Sequence, residues 1–283
     1  MQALKISAFS INQQGGNPAG VVIQDTLPAA HSMQSLAAEL GYSETVFAAP
    51  TPQTDTWRVR YFSPENEVPF CGHATIALGV ALAERLGTGT YPLILNDGQI
   101  EVSGRAEDGE LSAALRSPGT RSETLSSKQI SDALAVFGYS SQQIDPRIPP
   151  AHIFAGADHF VFALRDRASL AAMEYNLDAG RQFMLENGLV TVMFVVQESA
   201  TRFFARNAFA SGGVLEDPAT GAAAAAFMGY LRDTDQTAAT KIEIFQGQDM
   251  GQPSRIQVEA TTTVSAPVTV SGAAHHLDYT IAP

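Results

Sequence analysis

Glu67-Val68-Pro69-Phe70-Cys71-Gly72-His73-Ala74 and Glu216-Asp217-Pro218-Ala219-Thr220-Gly221-Ala222-Ala223 align without a gap, with glutamate, proline, glycine and alanine recurring in register. Each octet runs into a segment that is apolar nearly all round, residues 73–86 and 221–231. A helix without a polar face needs cover on every side, for instance a curved sheet wrapped about it. Each octet also follows a strand-like segment, one ending in Phe62-Ser63 and the other in Phe209-Ala210-Ser211. The pattern reads as an internal duplication, with one strand–loop–buried-helix unit in each half.

Working outward, residues 4–9, 21–24, 45–48, 57–62, 100–103, 111–116, 160–164 and 190–196 alternate or cluster apolar side chains as strands do. In 57–62 the period of two sets Trp57, Val59 and Tyr61 on one face and the arginines on the other. Residues 31–40 and 126–137 carry apolar stripes at helical spacing, each followed by glycine. The expected fold is α/β in the α+β sense, with two similar domains, each a curved, mostly antiparallel sheet around a central helix. The Ser/Pro/Gly/Thr-rich stretch 117–127 forms the seam. Residues 1–117 then make an N-terminal domain, completed by a returning C-terminal strand within 267–283, and 118–266 a C-terminal domain.

Composition narrows the function classes. The chain has 283 residues, 45% hydrophobic and 16% charged, enough apolar material for ordinary cores. Its net charge of −12 disfavours nucleic acid and anionic membranes as partners. No apolar run reaches membrane-span length, and the N-terminus lacks a secretory pattern, so a cytoplasmic location is expected. One cysteine, Cys71, rules out an internal disulfide and a multi-thiolate metal site. None of the six histidines forms a ligand motif with nearby acids, and no phosphate-binding glycine loop follows a strand. Neither metal nor nucleotide is expected, and the adjacent His275 and His276 read as a solvated pair in a turn.

A helix N-terminus carries unpaired N–H groups and about half a positive charge. Two such ends on one cleft would hold a carboxylate, and glycine at 72 and 221 would let the ligand approach the backbone. The plainer reading makes Asp217-Pro218 an N-cap with proline at the first helical position.

Further stretches carry a recognisable pattern. Gly16-Asn17-Pro18-Ala19-Gly20-Val21-Val22, Ser43-Glu44-Thr45-Val46-Phe47, Pro69-Phe70-Cys71-Gly72-His73-Ala74-Thr75, Asp217-Pro218-Ala219-Thr220-Gly221 and the stretch from Gln246 to Ser254 resemble, in order, the phenazine-biosynthesis PhzF-like family. The resemblance implies the diaminopimelate-epimerase-like fold, an active site in the interdomain cleft and a homodimer. It also implies an isomerase without cofactor or metal, similar to trans-2,3-dihydro-3-hydroxyanthranilate isomerase. Carried over, Glu44, His73 and Asp217 form the catalytic set, Glu44 moving the proton and the other two contacting the substrate, and the amides of Gly72, His73, Gly221 and Ala222 bind its carboxylate. Many relatives have serine where this chain has Ala222, so one hydroxyl donor is lost.

Each residue also has a plainer reading. Glu44 by composition is an exposed carboxylate at a strand start, a reading that the family match reverses. His73 reads as a hydrogen-bonded structural residue or a substrate donor, and Asp217 as a cap or a substrate partner. Cys71 aligns with Thr220, whose hydroxyl is too weak an acid for a two-thiol racemase, so Cys71 reads as a buried structural residue. The competing functions are an epimerase or lyase acting on a hydroxy or amino acid, and a non-catalytic ligand-binding protein.

Overall fold

A computed structural model describes residues 2–53 and 55–277. The chain divides into Met1–Arg116 with Ser271–Pro283, and Ser117–Val270. Residues 278–283 of the expected returning segment lie outside the described residues.

The first unit runs β1 (Leu4–Ala8), β2 (Asn17–Ile23), α1 (Ala30–Leu40), β3 (Thr45–Pro50), β4 (Trp57–Phe62), β5 (Glu67–Val68), α2 (Gly72–Leu86), β6 (Gly89–Ile94), β7 (Gln99–Glu107) and β8 (Glu110–Arg116). β1 pairs antiparallel with β2, β2 parallel with β3, β3 antiparallel with β4, and β4 parallel with β6. β6, β7 and β8 follow as an antiparallel meander. β4 buries Trp57, Val59 and Tyr61, as its alternation requires.

α2 is the core of this unit. Its residues from His73 to Ala83 are all buried, and it packs on β1, β2, β7 and β8. Burying each large side chain, such as Ile76, Leu78 or Leu82, contributes about 1.5–3 kcal/mol. Gly104 on β7 lets the sheet close onto the helix, since a Cβ there would lie 2.0 Å from the Gly79 carbonyl oxygen. Only a bare backbone fits that approach.

The second unit repeats the plan. It runs β9 (Arg121–Thr124), α3 (Ser127–Val136), β10 (Ala151–Phe154), β11 (Asp158–Ala163), α4 (Arg167–Ala171), α5 (Leu177–Glu186), β12 (Thr191–Gln197), β13 (Arg202–Ala208), β14 (Glu216–Asp217), α6 (Gly221–Asp233), β15 (Lys241–Gln246) and β16 (Ser254–Ala260). β10 pairs antiparallel with β11, β11 parallel with β12, β12 antiparallel with β13, and β13 parallel with β15. This is the sequence of pairings from β1 to β6. α6 is buried from Ala223 to Leu231. Ser126 and Gln129 close a reciprocal capping box that starts α3.

The last strand, β17 (Val268–His276), pairs antiparallel with β1, Ile6 facing His276. It also pairs with β8. His275 and His276 therefore lie in a strand and not in a turn. Adjacent strand residues point to opposite faces, and His276 reaches Glu84 at 2.9 Å. Within the stretch read as a loop seam, residues 121–124 form β9 on β10. Arg121, Ser122, Glu123 and Thr124 are all polar, so no apolar alternation marks this strand. Among the described residues no helix is long and apolar enough to cross a membrane.

Candidate active site

In each unit a two-residue strand fixes the loop leading into the buried helix. Phe62 of β4 faces Glu67 of β5, and Ala208 of β13 faces Glu216 of β14. Arg60 grips Glu67 through Nε and Nη2 at 2.7 and 2.5 Å. Arg206 does the same to Glu216 at 3.0 and 2.7 Å. The paired arginine–glutamate forks hold both loops at equivalent places.

In the first unit that loop delivers chemistry. Cys71 is the N-cap of α2, and Gly72 and His73 are the first two helical residues. Glu44 sits immediately before β3, its carbonyl accepting from the Gly20 amide at 3.3 Å. His73 Nε2 lies 3.6 Å from Glu44 Oε2, with the side chains 6% and 14% exposed. The Cys71 thiol donates to Glu44 Oε2 at 3.5 Å and lies 3.2 Å from His73 Nδ1. Ser43 Oγ is 3.4 Å from His73 Nε2.

Burial pushes the Glu44 carboxyl above its ordinary 4.5, and hydrogen bonds from Ser43 and then Cys71 pull it part of the way back. The exposed strand-start reading of Glu44 does not hold here. The same three residues, Glu44, Cys71 and His73, bring one ligand atom each within 4.8 Å of one another, the arrangement among the described residues suited to a metal ion.

In the second unit the loop delivers a polar frame. The N-cap of α6 is Thr220, Gly221 and Ala222 are its first two helical residues, and Asp217 belongs to β14. Asp217-Pro218 therefore is not a cap with proline at the first helical position. Thr220 instead donates its hydroxyl to Asp217 Oδ2 at 2.6 Å. Gln246 Nε2 donates to the Asp217 carbonyl at 2.7 Å, and Gln246 Oε1 accepts from the Thr220 amide at 3.3 Å. Asn207 donates to Gln246 at 3.2 Å, and Thr191 donates to Asn207 at 3.3 Å. His159 stands 2.8 Å from Thr191, and burial pushes its imidazole down to about 3, so it is neutral at pH 7.

Neither α2 nor α6 takes a side-chain hydrogen bond from its N-cap residue. Their first amides keep the character of an anion site. Ser43 and Gln246 both lie in the quoted motif stretches, but sequence spacing gives neither of them a role. Their contributions are contacts across the fold, to His73 from 30 residues away and to Asp217 from 29.

The registers also say what replaces Glu44. Phe62 and Ala208 correspond, because each faces the glutamate of its fork. Thr45 faces Phe62, and Val192 faces Ala208. The residue before Thr45 is Glu44, and the residue before Val192 is Thr191. By the same route Cys71 corresponds to Thr220 and His73 to Ala222. The second unit thus carries no ionisable group at any of these three places.

Two repeated sheets, each wrapped on a buried helix, define an α/β protein of the diaminopimelate-epimerase-like class. The likeness to a Bacillus anthracis protein of the phenazine biosynthesis PhzF family agrees, with a TM-score of 0.85 at 22% identity over 98% of both chains. The chain belongs to the family of phenazine biosynthesis-like proteins (PhzC-PhzF), whose model matches residues 6–278. An isomerase of Deinococcus radiodurans, named as uncharacterized, is 33% identical over 90% of this chain and 85% of its own. The trans-2,3-dihydro-3-hydroxyanthranilate isomerase of Pseudomonas aeruginosa is 28% identical over 90% of this chain and 88% of its own. By class, the chain is an isomerase.

Proposed function

We propose that this isomerase moves a proton on a small carboxylate-bearing substrate, without cofactor or metal, and that Glu44 carries the proton. The observation that supports this is the setting of Glu44. It is a largely buried carboxyl held above its ordinary range, beside His73 at the start of α2. A base poised nearer neutrality takes a carbon-bound proton and gives it back with less loss at either step.

In this reading the Glu44 carboxylate removes a proton from one substrate carbon, and the electron pair enters the adjacent unsaturated system. The same carboxylic acid then returns the proton at a second carbon, so no net proton is gained or lost. His73 donates to a polar group of the substrate, and the α2 amides of Gly72 and His73 take its carboxylate. Asp217, Gly221 and Ala222 are assigned substrate contacts through the family match. The single acid favours isomerisation over two-base epimerisation, since Thr191 and Thr220 stand where a second base would be. The enzyme works as a cytoplasmic homodimer in this reading, which sedimentation of the purified protein would check.

The test is proton NMR of trans-2,3-dihydro-3-hydroxyanthranilate, the substrate named for the Pseudomonas relative, and of a panel of small amino and hydroxy carboxylates. Conversion by the wild type and not by Glu44→Gln is expected. Equal conversion by both proteins would end the assignment of Glu44.

A further inference from the structure

Three donors of different chemistry meet just before β3, and their spacing is that of a coordination face. Bond lengths of about 2.3 Å to sulfur and about 2.0–2.2 Å to nitrogen and oxygen give tetrahedral ligand-to-ligand edges of roughly 3.4–3.6 Å. Glu44 Oε2 lies 3.5 Å from Cys71 Sγ and 3.6 Å from His73 Nε2, and Sγ lies 4.0 Å from Nε2. Two edges already match, while Sγ lies nearer Nδ1, at 3.2 Å, than Nε2, so the thiol and the imidazole must both turn for sulfur and one ring nitrogen to face the same ion.

We propose that Glu44, Cys71 and His73 bind a zinc-like divalent cation, and that the bound cation stops Glu44 from moving protons. The blocking half rests on the proposed role of Glu44, whereas the binding half does not. A thiolate, an imidazole and a carboxylate select zinc or cobalt over magnesium and calcium, which prefer all-oxygen shells. On binding, the metal–sulfur bond replaces the S–H bond, and the thiol proton passes to the buffer. Thiolate and carboxylate together offer two negative charges to a dication. The start of α2 opposes the cation but favours the thiolate.

Sequence spacing hides this site, because Glu44 is 27 residues from Cys71 and no ligand motif spans them. The internal repeat has no counterpart, since Thr191, Thr220 and Ala222 stand in the equivalent places. The site is therefore a property of the first unit.

The test is titration of the metal-stripped, full-length protein with Co²⁺, followed by near-ultraviolet absorption, and with Zn²⁺, followed by calorimetry. The chain holds one cysteine, so any thiolate-to-cobalt band reports Cys71. One equivalent is expected to give that band. Loss of an outer-shell partner typically weakens metal affinity about 10- to 100-fold, so loss of a ligand in Cys71→Ser should weaken zinc by about 100-fold.

Glu44→Gln should keep the cobalt band and bind both metals more weakly. His276→Gln, which removes the exposed pair with Glu84, should change nothing. Circular dichroism establishes that each variant is folded, and Cys71→Ala replaces Cys71→Ser if the latter is not. No band at stoichiometric cobalt, or equal zinc affinity in wild type and Cys71→Ser, would overturn the site and leave the isomerase reading where it stands. Zinc at full occupancy with turnover intact would overturn the blocking half.

Discussion

In the first unit the loop into α2 sets Cys71 and His73 against Glu44. In the second, the matching loop into α6 carries Thr220 and Ala222, with Thr191 in the place of the acid. The frame is the same in both: an arginine–glutamate fork, a two-residue strand and a helix start with no side-chain cap. The side chains hung on it have diverged. One loop keeps groups that ionise or give up protons, and the other knits Asp217, Thr220, Gln246 and Asn207 into neutral cross-links around a single carboxyl. Duplication explains the backbone, and division of labour explains the residues. The proposed single-base proton shift asks for an ionisable set on the first unit's loop alone.

The comparison breaks most plainly at the acid. Glu44→Gln should lower turnover by roughly 10²–10⁴-fold, the range for removing a general base. Thr191→Val, its counterpart, should instead cost about 1–3 kcal/mol of stability by taking the hydroxyl partner from Asn207 Oδ1 and His159 Nδ1. Turnover per folded molecule should stay near the wild-type value. Chemical denaturation and rate measurements on both proteins check this, and equal losses of turnover would erase the distinction.

The two forks give the next effect. Arg206 and Glu216 side chains are 12% and 6% exposed, against 22% and 26% for Arg60 and Glu67. Arg206→Met strands a buried carboxylate and should cost about 3–5 kcal/mol. Arg60→Met leaves Glu67 its bond from Asn96 and some water, and should cost about 1 kcal/mol or less. Urea midpoints in the reverse order would show that the second fork is not the more deeply buried support.

A smaller effect is thermodynamic. The folded state raises the Glu44 pKa above 4.5, so folding favours the protonated acid. The wild type should therefore lose stability as pH rises from about 4.5 through the folded pKa. Glu44→Gln lacks that loss and should melt higher than the wild type near neutral pH. Melting curves across this range decide it, and parallel curves would mean that Glu44 is not strained.

The smallest expected change is in the pH–rate profile. Ser43 and Cys71 both lower the Glu44 pKa, Ser43 more strongly. Ser43→Ala should move the acid limb of the profile to higher pH, and Cys71→Ala should move it less. A shift to lower pH in either variant would contradict the direction of these hydrogen bonds.

The features legible in the sequence were those with long apolar runs or quoted motifs. α2 and α6 stood out because they lack a polar face, and β4 because its arginines alternate with Trp57, Val59 and Tyr61. β6, β10, β15 and β16 are not among the segments that apolar alternation marks. In Lys241–Gln246 the buried Ile242 and Ile244 alternate, but Phe245 interrupts the polar face and blurs the period of two. α5 is not marked either, because Phe183, Met184 and Leu185 crowd together near its end and leave no stripe at helical spacing.

At the candidate site, family motifs pointed to Glu44, His73 and Asp217. They gave no role to Gln246 or Ser43, whose importance is a matter of reach across the fold. Cys71 read as structural is buried, but it also touches Glu44 and His73. Periodicity reports burial and does not report which neighbour is met.

The return of β17 to β1 sets an order of assembly. About 150 residues separate the end of β8 from the start of β17. At about 5–20 residues per second, a ribosome needs roughly 8–30 seconds to cross that interval. Throughout it, one edge of β1 has no strand to pair with, although the first unit already holds Glu44, Cys71 and His73. The first half of the chain to be made is thus the last to be closed.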